Sequence, residues 1–294
     1  MGDSSKLPSL LRLAAIKILT ALPPRLSLSL HFLWRQGRWP NLRRPKTFTE
    51  KVQARKLLPP DPRFAQLADK VLAKVFVAET LGEAWVIQTL WHGPVLPPVN
   101  ERDWPTPYVI KANHGSGWNI FVRSEDDKNW PEIEQKCQDW MNSRFHPHLH
   151  ETFYDEIDRQ ILVEPFIGSE VLPVDYKFFC FDGVAHFVMV QSDRAVGLKI
   201  ATMSRDWVKQ PLRYTFPIPD GDIPKPKNYD TLLAAAEVLS KNFDFVRVDF
   251  YEIDGRPLFG EFTFAPGSGY EVFEPHRFNH IFGDLWPNRE FASR

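Results

Sequence analysis

The end of the chain constrains the fold most. Two apolar segments, Phe245-Val-Arg-Val-Asp-Phe250 and Leu258-Phe-Gly-Glu-Phe-Thr-Phe264, flank a turn at Asp254-Gly255 and read as an antiparallel hairpin. Side chains alternate between the faces of a strand, so Val246, Val248 and Phe250 share one face and Arg247 and Asp249 the other. On the second strand Glu261 and Thr263 oppose Phe262 and Phe264. An acid inside each of two apolar strands is costly to bury unless a cation or donor compensates. Two carboxylates with a neighbouring oxygen suit a hard divalent ion. The reading carries a register condition. A strict two-residue turn puts Asp249 and Glu261 on opposite faces, and a three-residue loop or one bulge restores them to the same face. A surface hairpin with solvated acids is the alternative.

The remainder reads as helices first and strands after. Thr47-x-x-Glu50 is a capping box that opens a helix over Phe48 to Leu58, ended by Pro59-Pro60. A second helix is expected over Phe64 to Leu81, with Leu67, Val71, Val75 and Ala78 as its core stripe and Gly82 as its stop. The Pro-rich stretch from Pro94 to Pro107 leads into short strands: Tyr108–Ala112, Ile161–Glu164, and Val174–Phe181 turned by Asp182-Gly183 into Val184–Gln191. Helices are expected from Trp130 to Asn142 and from a cap at Asp230 to Lys241. The fold class is α+β. With 23 Phe, 10 Trp and 26 Pro, the composition favours short strands and rigid turns over a helical bundle. The net charge of −1 excludes a bulk field that draws the whole chain to nucleic acid or an anionic membrane.

Leu7, Leu11, Ala14, Ile18 and Leu22 recur at helical spacing. Arg12 and Lys17 interrupt the run, which falls short of the roughly 20 apolar residues of a membrane span. It reads as a helix docked on the protein, or as one resting on the inner surface of a membrane. Cys137 and Cys180, far apart and without a partner motif, read as two reduced thiols in a cytoplasmic protein.

Further candidates for chemistry lie in the middle of the chain. Lys111, on an apolar strand, runs into Asn113-His-Gly-Ser-Gly117, a point charge beside an amide-rich loop that suits phosphate oxygens. The lysine precedes the glycines, so this is neither a Walker A loop nor a Rossmann fingerprint. Glu164-Pro-Phe-Ile-Gly-Ser-Glu170 follows a buried strand and can offer backbone hydrogen bonds and apolar packing to a base and a carboxylate to ribose hydroxyls. Lys177 and Arg194 bracket a hairpin within reach of a terminal phosphate. For His114 and His186 hydrogen bonding is the expected role, since no His/Cys spacing suggests zinc.

Taken in order, these features resemble the ATP-grasp superfamily and, more narrowly, the TupA-like ATP-grasp family linked to teichuronopeptide and other cell-surface polysaccharide synthesis. The stretches that carry the likeness are Asn41-Leu-Arg-Arg-Pro-Lys-Thr-Phe-Thr-Glu-Lys51, Leu67-Ala-Asp-Lys70, Tyr108-Val-Ile-Lys-Ala-Asn-His-Gly-Ser-Gly117, Asp175-Tyr-Lys-Phe-Phe179, Arg247-Val-Asp-Phe-Tyr251 and Phe259-Gly-Glu-Phe-Thr-Phe-Ala-Pro-Gly-Ser-Gly269. The resemblance implies two α+β lobes clamping ATP: residues 1–46 as a docking segment, 47–107 as a helical region, 108–170 as the small lobe, and 171–294 as the lobe with the metal site. It implies Lys70 and Lys111 as nucleotide lysines, with His114 beside Gly115, Ser116 and Gly117, the loop over the triphosphate. Glu164, Phe166 and Ile167 become the adenine hinge, and Glu170 the ribose contact. Lys177, Arg194 and Arg247 attend the reacting phosphate, while Asp249, Glu261 and Thr263 hold Mg2+. Relatives carry Asn where this chain has Thr263. Gly267, Ser268 and Gly269 fall where a substrate loop follows. The implied activity is an ATP-dependent carboxylate–amine ligase that joins an amino acid or amine to a uronic acid of a surface glycan. A glycosyltransferase of the same pathway needs a nucleotide-sugar site, typically with an Asp-x-Asp metal motif, and no such motif is read here. A nucleotide-binding scaffold without turnover is the other alternative.

Overall fold

The computed structural model describes residues 9–168, 172–192 and 197–291. Its helices are α1 (Ser9–Ala21), α2 (Pro24–Gln36), α3 (Phe48–Arg55), α4 (Pro62–Ala68), α5 (Lys70–Leu81), α6 (Trp130–Asn142), α7 (Tyr229–Ser240) and α8 (Arg277–Leu285). A four-stranded antiparallel sheet has the order β1 (Trp91–Gly93), β4 (Ile161–Pro165), β2 (Tyr108–Ala112), β3 (Asn119–Val122). A six-stranded antiparallel sheet has the order β11 (Arg256–Thr263), β10 (Phe245–Ile253), β5 (Asp175–Phe181), β6 (Val184–Ser192), β7 (Lys199–Ser204), β8 (Lys209–Gln210). Strands β9 (Arg213–Tyr214) and β12 (Phe273–Glu274) pair by themselves.

Alternation along the strands builds the large sheet's two cores. Phe178, Cys180, Val246, Val248 and Phe250 face α4, α5 and α7. Phe179, Phe181 and Phe245 face α3 and α8, where the Phe48 ring meets those of Phe181, Phe245, Phe282 and Trp286 at centroid distances of 5.0–6.2 Å. Thr47 accepts from the Glu50 amide and Glu50 accepts from the Thr47 amide, so the capping box forms as read. The Asn41–Lys51 stretch is thereby structural: Lys51 donates to the Gly283 carbonyl, and a Cβ at Gly283 would meet Lys46 at 2.1 Å.

Three expected details change. The single helix over Phe64 to Leu81 is two, broken at Asp69, whose extended backbone (ψ 117°) and carboxylate cap α5 through the Val71 and Leu72 amides. That break resets the helical wheel. Ala73 and Val77 are buried, whereas Val75, read as core, is half exposed. Asp230 lies within the first turn of α7 and does not cap it; the N-cap is Asn228. The first helix ends at Arg55, before the expected Leu58. No helix among the described residues is long and apolar enough to cross a membrane.

Candidate functional site

The closing hairpin decides the register. Asp254 and Gly255 both have positive φ (51° and 74°), the tight two-residue turn, and Ile253 pairs with Arg256. That turn alone would separate the acids. The ladder slips after Asp249, however, so Phe250 pairs with Phe259 while Asp249 pairs with Glu261. Gly260 is the extra residue, and a Cβ there would come within 3.1 Å of the Asp249 carbonyl oxygen. One bulge at a glycine therefore brings Arg247, Asp249, Glu261 and Thr263 onto one face. Lys177 pairs with Asp249 from the other side and joins them.

This face changes character along its length. Phe181 and Phe179 sit in the aromatic core, then Lys177 and Asp175 line a cavity of about 420 Å³. Residues of both sheets line it: Lys111 and Glu164 from the small one, Lys177, Arg247 and Glu261 from the large one, with Lys70 and Lys74 of α5 and the loop residues Ser116 and Gly117.

On the large sheet, Arg247 donates to both oxygens of Asp249 (2.7 and 2.6 Å), and Lys177 donates to Asp249 and Asp175 (both 2.6 Å). Burial alone would raise the Asp249 pKa, but Arg247 and Lys177 outweigh it and hold the carboxyl below its ordinary range. Glu261 is looser. Its side chain is 40% exposed, with Arg247 at 3.3 Å and the Thr263 hydroxyl at 3.4 Å.

On the small lobe, Glu164 is buried and ion-paired with Lys74 and Lys111. Burial would raise its pKa, but the two lysines bring it down to about 2. Lys70 donates to the carbonyl of Gly115, at the base of the glycine loop. Burial pushes its pKa down to about 8 even with Glu261 nearby. Asn113 donates to Asp69 (2.9 Å), tying that loop to the start of α5. Gly117 has φ +75°, and at Gly115 a Cβ would stand 2.7 Å from the Phe145 ring. His114 is buried, its ring nitrogens 3.1 Å from Asn113 Oδ1 and 3.0 Å from the Trp140 carbonyl, so its contacts hold the loop.

Other expected residues fall as follows. Phe166 and Ile167 are half-buried beyond β4, the Phe166 ring against Phe121 at 5.8 Å. Gly267, Ser268 and Gly269 form a left-handed turn (φ 51°, 52°, 70°), and the Ser268 carbonyl accepts from Gln53 and Lys56. Glu170 and Arg194 lie outside the described residues. Lys74, Asp69 and Asp175 are contributors that sequence reasoning missed. The signals were present: Lys74 is four residues after Lys70 on one helix face, and Asp175 is two before Lys177 on one strand face. One expectation is corrected by the sequence itself: Asp220-Gly221-Asp222 has the Asp-x-Asp spacing read as absent, but it is exposed and does not line the cavity.

The donor set bears on a metal. Among the described residues no group of three or more His, Cys, Asp or Glu side chains can hold an ion by itself. Glu261, 40% exposed beside the Thr263 hydroxyl, fits the remaining case, a magnesium ion bound through one or two carboxylates and completed by phosphate oxygens and water, whereas both oxygens of the buried Asp249 are taken by Arg247 and Lys177.

The model of the TupA-like ATP-grasp family matches residues 50–286. No curated protein matches the chain. Among solved structures, the chain is similar to the D-alanine–D-alanine ligase from Bacillus anthracis complexed with ATP (15% identity, TM-score 0.45, covering 78% of this chain and 67% of that one). It is also similar to the D-alanine–D-alanine ligase from Helicobacter pylori (16%, 0.41, 75% and 61%) and an L-amino acid ligase from Bacillus licheniformis (12%, 0.43, 75% and 49%). The chain thus spans about half to two thirds of their length.

Proposed function

The chain belongs to the TupA-like ATP-grasp family, and we propose that it is a ligase whose charged cavity binds ATP and activates a carboxylate for amide formation. The observation that carries this is Glu261, set on one face with the buried Asp249 by the Gly260 bulge and lining the same cavity as Lys70, Lys74 and Lys111. In the proposed reaction a substrate carboxylate attacks the γ-phosphorus and the bond to ADP breaks. An amine then attacks the acyl carbon of the acyl phosphate, and phosphate leaves. Lys70 and Lys111 hold the phosphates, and the Gly115–Gly117 loop covers them and excludes water from the acyl phosphate. Lys177 and Arg247 balance charge at the reacting end. Glu261, with the Thr263 hydroxyl beside it, would hold magnesium, joined by Asp249 where Arg247 and Lys177 turn to the phosphates, and the ion would offset charge on the phosphate oxygens. Glu164 is committed to two lysines, and we assign it to positioning them rather than to adenine. Phe166 and Ile167 remain the proposed base contacts.

For substrates, family likeness supports an amino acid or amine as one partner and a uronic acid of a surface polysaccharide, or its precursor, as the other. A peripheral membrane contact is supported by the first helices. Leu26, Leu30 and Leu33 are exposed on one side of α2, and from Ser4 to Thr49 the sequence has no acidic residue but nine Lys or Arg: Lys6, Arg12, Lys17, Arg25, Arg35, Arg38, Arg43, Arg44 and Lys46.

The test is ADP release screened over amino acids and uronic acids. With the productive pair, Lys111→Ala and Asp249→Asn should each lower release by roughly 100-fold or more while circular dichroism stays native. Unchanged release in both variants would overturn the assignment.

A further inference from the structure

A second cavity of about 410 Å³ meets the first at Ser116, Arg247, Glu261 and Gly267. Its roof lies outside the span matched to the family. Ala15, Ile16 and Leu19 of α1 give an aliphatic wall, and His31, Trp34 and Arg35 of α2 continue it toward Tyr154 and Tyr270. Helix α2 is anchored by side-chain hydrogen bonds. Gln36 donates to the carbonyls of Tyr270 (3.0 Å) and Glu271 (2.9 Å), and His150 pairs with the Ser27 hydroxyl at 2.8 Å.

Two polar atoms in this wall, His31 Nδ1 and Tyr270 Oη, are buried without a hydrogen-bond partner. Their rings stack at 3.9 Å, and Trp34 adjoins His31 at 5.7 Å. Burial holds the His31 pKa down at about 3, so the ring is neutral at ordinary pH. A buried polar atom left unmet is costly, and here two are set among aromatic faces. A hydroxylated ring answers both features. Its C–H face lies on an aromatic ring while its hydroxyls reach the polar atoms. An aliphatic amino acid could meet those atoms through its ammonium and carboxylate but has no ring face to lay on the aromatic wall.

We propose that this second cavity is the acceptor site, that it takes a sugar or sugar acid, and that the N-terminal helix pair sets its selectivity through His31 and Trp34. The proposal rests on the ligase reading, since Arg247 at the junction would draw the acceptor's carboxylate toward the phosphate. Saturation-transfer NMR on the full chain, with glucuronic acid, galacturonic acid and D-alanine as probes, tests it alongside binding of a non-hydrolysable ATP analogue. The uronic acids should give signal that responds to two cavity variants, whereas D-alanine signal from a separate amine site should not respond to them. Ala15→Trp, which fills the cavity from the peripheral helix, and His31→Phe, which keeps the ring but removes its nitrogens, should weaken uronic acid binding at least about tenfold with nucleotide affinity unchanged. No uronic acid signal on the natural chain, D-alanine signal that falls in both variants as the uronic acid's does, or full uronic acid signal in both variants overturns the proposal. A sugar signal that responds to both variants in a chain that binds no nucleotide sinks the ligase reading and leaves the sugar site standing.

Discussion

The two walls of the cavity between the sheets solve opposite charge problems. On the small-lobe side, Lys70, Lys74 and Lys111 surround one buried acid, Glu164, which pairs with the last two. On the large sheet, Asp175, Asp249 and Glu261 face Lys177 and Arg247, which neutralise the buried acids and leave Glu261 half in solvent. The first wall has spare positive charge and suits an anion. The second has spare negative charge at one exposed carboxylate and suits a cation. The same chemical change should therefore have different consequences on the two walls.

Glu261→Gln is the sharpest test. It removes the exposed acid without stranding a buried charge, so ADP release should fall roughly 10²–10³-fold while urea unfolding shifts by less than about 0.5 kcal/mol. A variant that unfolds easily but still turns over would erase the contrast. Glu164→Gln should do the reverse at the level of the fold, costing about 3 kcal/mol because two lysines lose their buried counter-ion. The pH dependence has a definite sign. The Glu164 pKa is lowered in the folded state, from 4.5 to about 2, so its stabilisation is complete above pH 4.5 and is lost as pH falls toward 2. The stability gap between the natural chain and Glu164→Gln should therefore be full at pH 7 and close across that window in acid titrations. A gap that persists at pH 2 would mean the carboxylate is not what stabilises this wall. Gly260→Ala should have the smallest effect, about 1 kcal/mol of strain and a several-fold loss of turnover, because the new methyl presses on the Asp249 backbone and tilts one acid relative to the other. Unchanged kinetics would show that register alone, and not the close approach, sets the acid pair.

Legibility differed between these walls for a physical reason. The acids announced themselves because a charge in an apolar strand has few explanations, and period-two alternation assigned its face. Lys111 and the glycine loop were visible for the same reason. Glu164 was read for adenine because a carboxylate at a strand end looks alike whether solvent or two lysines meet it. Lys74 went unremarked because a lysine in a helix is ordinarily solvated. Val75 was misplaced because the cap at Asp69 rewound the helix phase, and Asp69 caps only because its backbone is extended there.

By itself the sequence determined the α+β class, the hairpins at Asp182-Gly183 and Asp254-Gly255, the capping box at Thr47, and the residue types here proposed for the chemistry. These follow from local rules of periodicity, turn geometry and the cost of burying charge. Tertiary structure alone decided which acids are buried, which lysines share a counter-ion, and that the hairpin slips by one residue at Gly260. Those outcomes depend on pairings between residues dozens of positions apart. No local preference separates a ladder with a bulge from one without, because the free-energy difference lies in the packing of both faces at once.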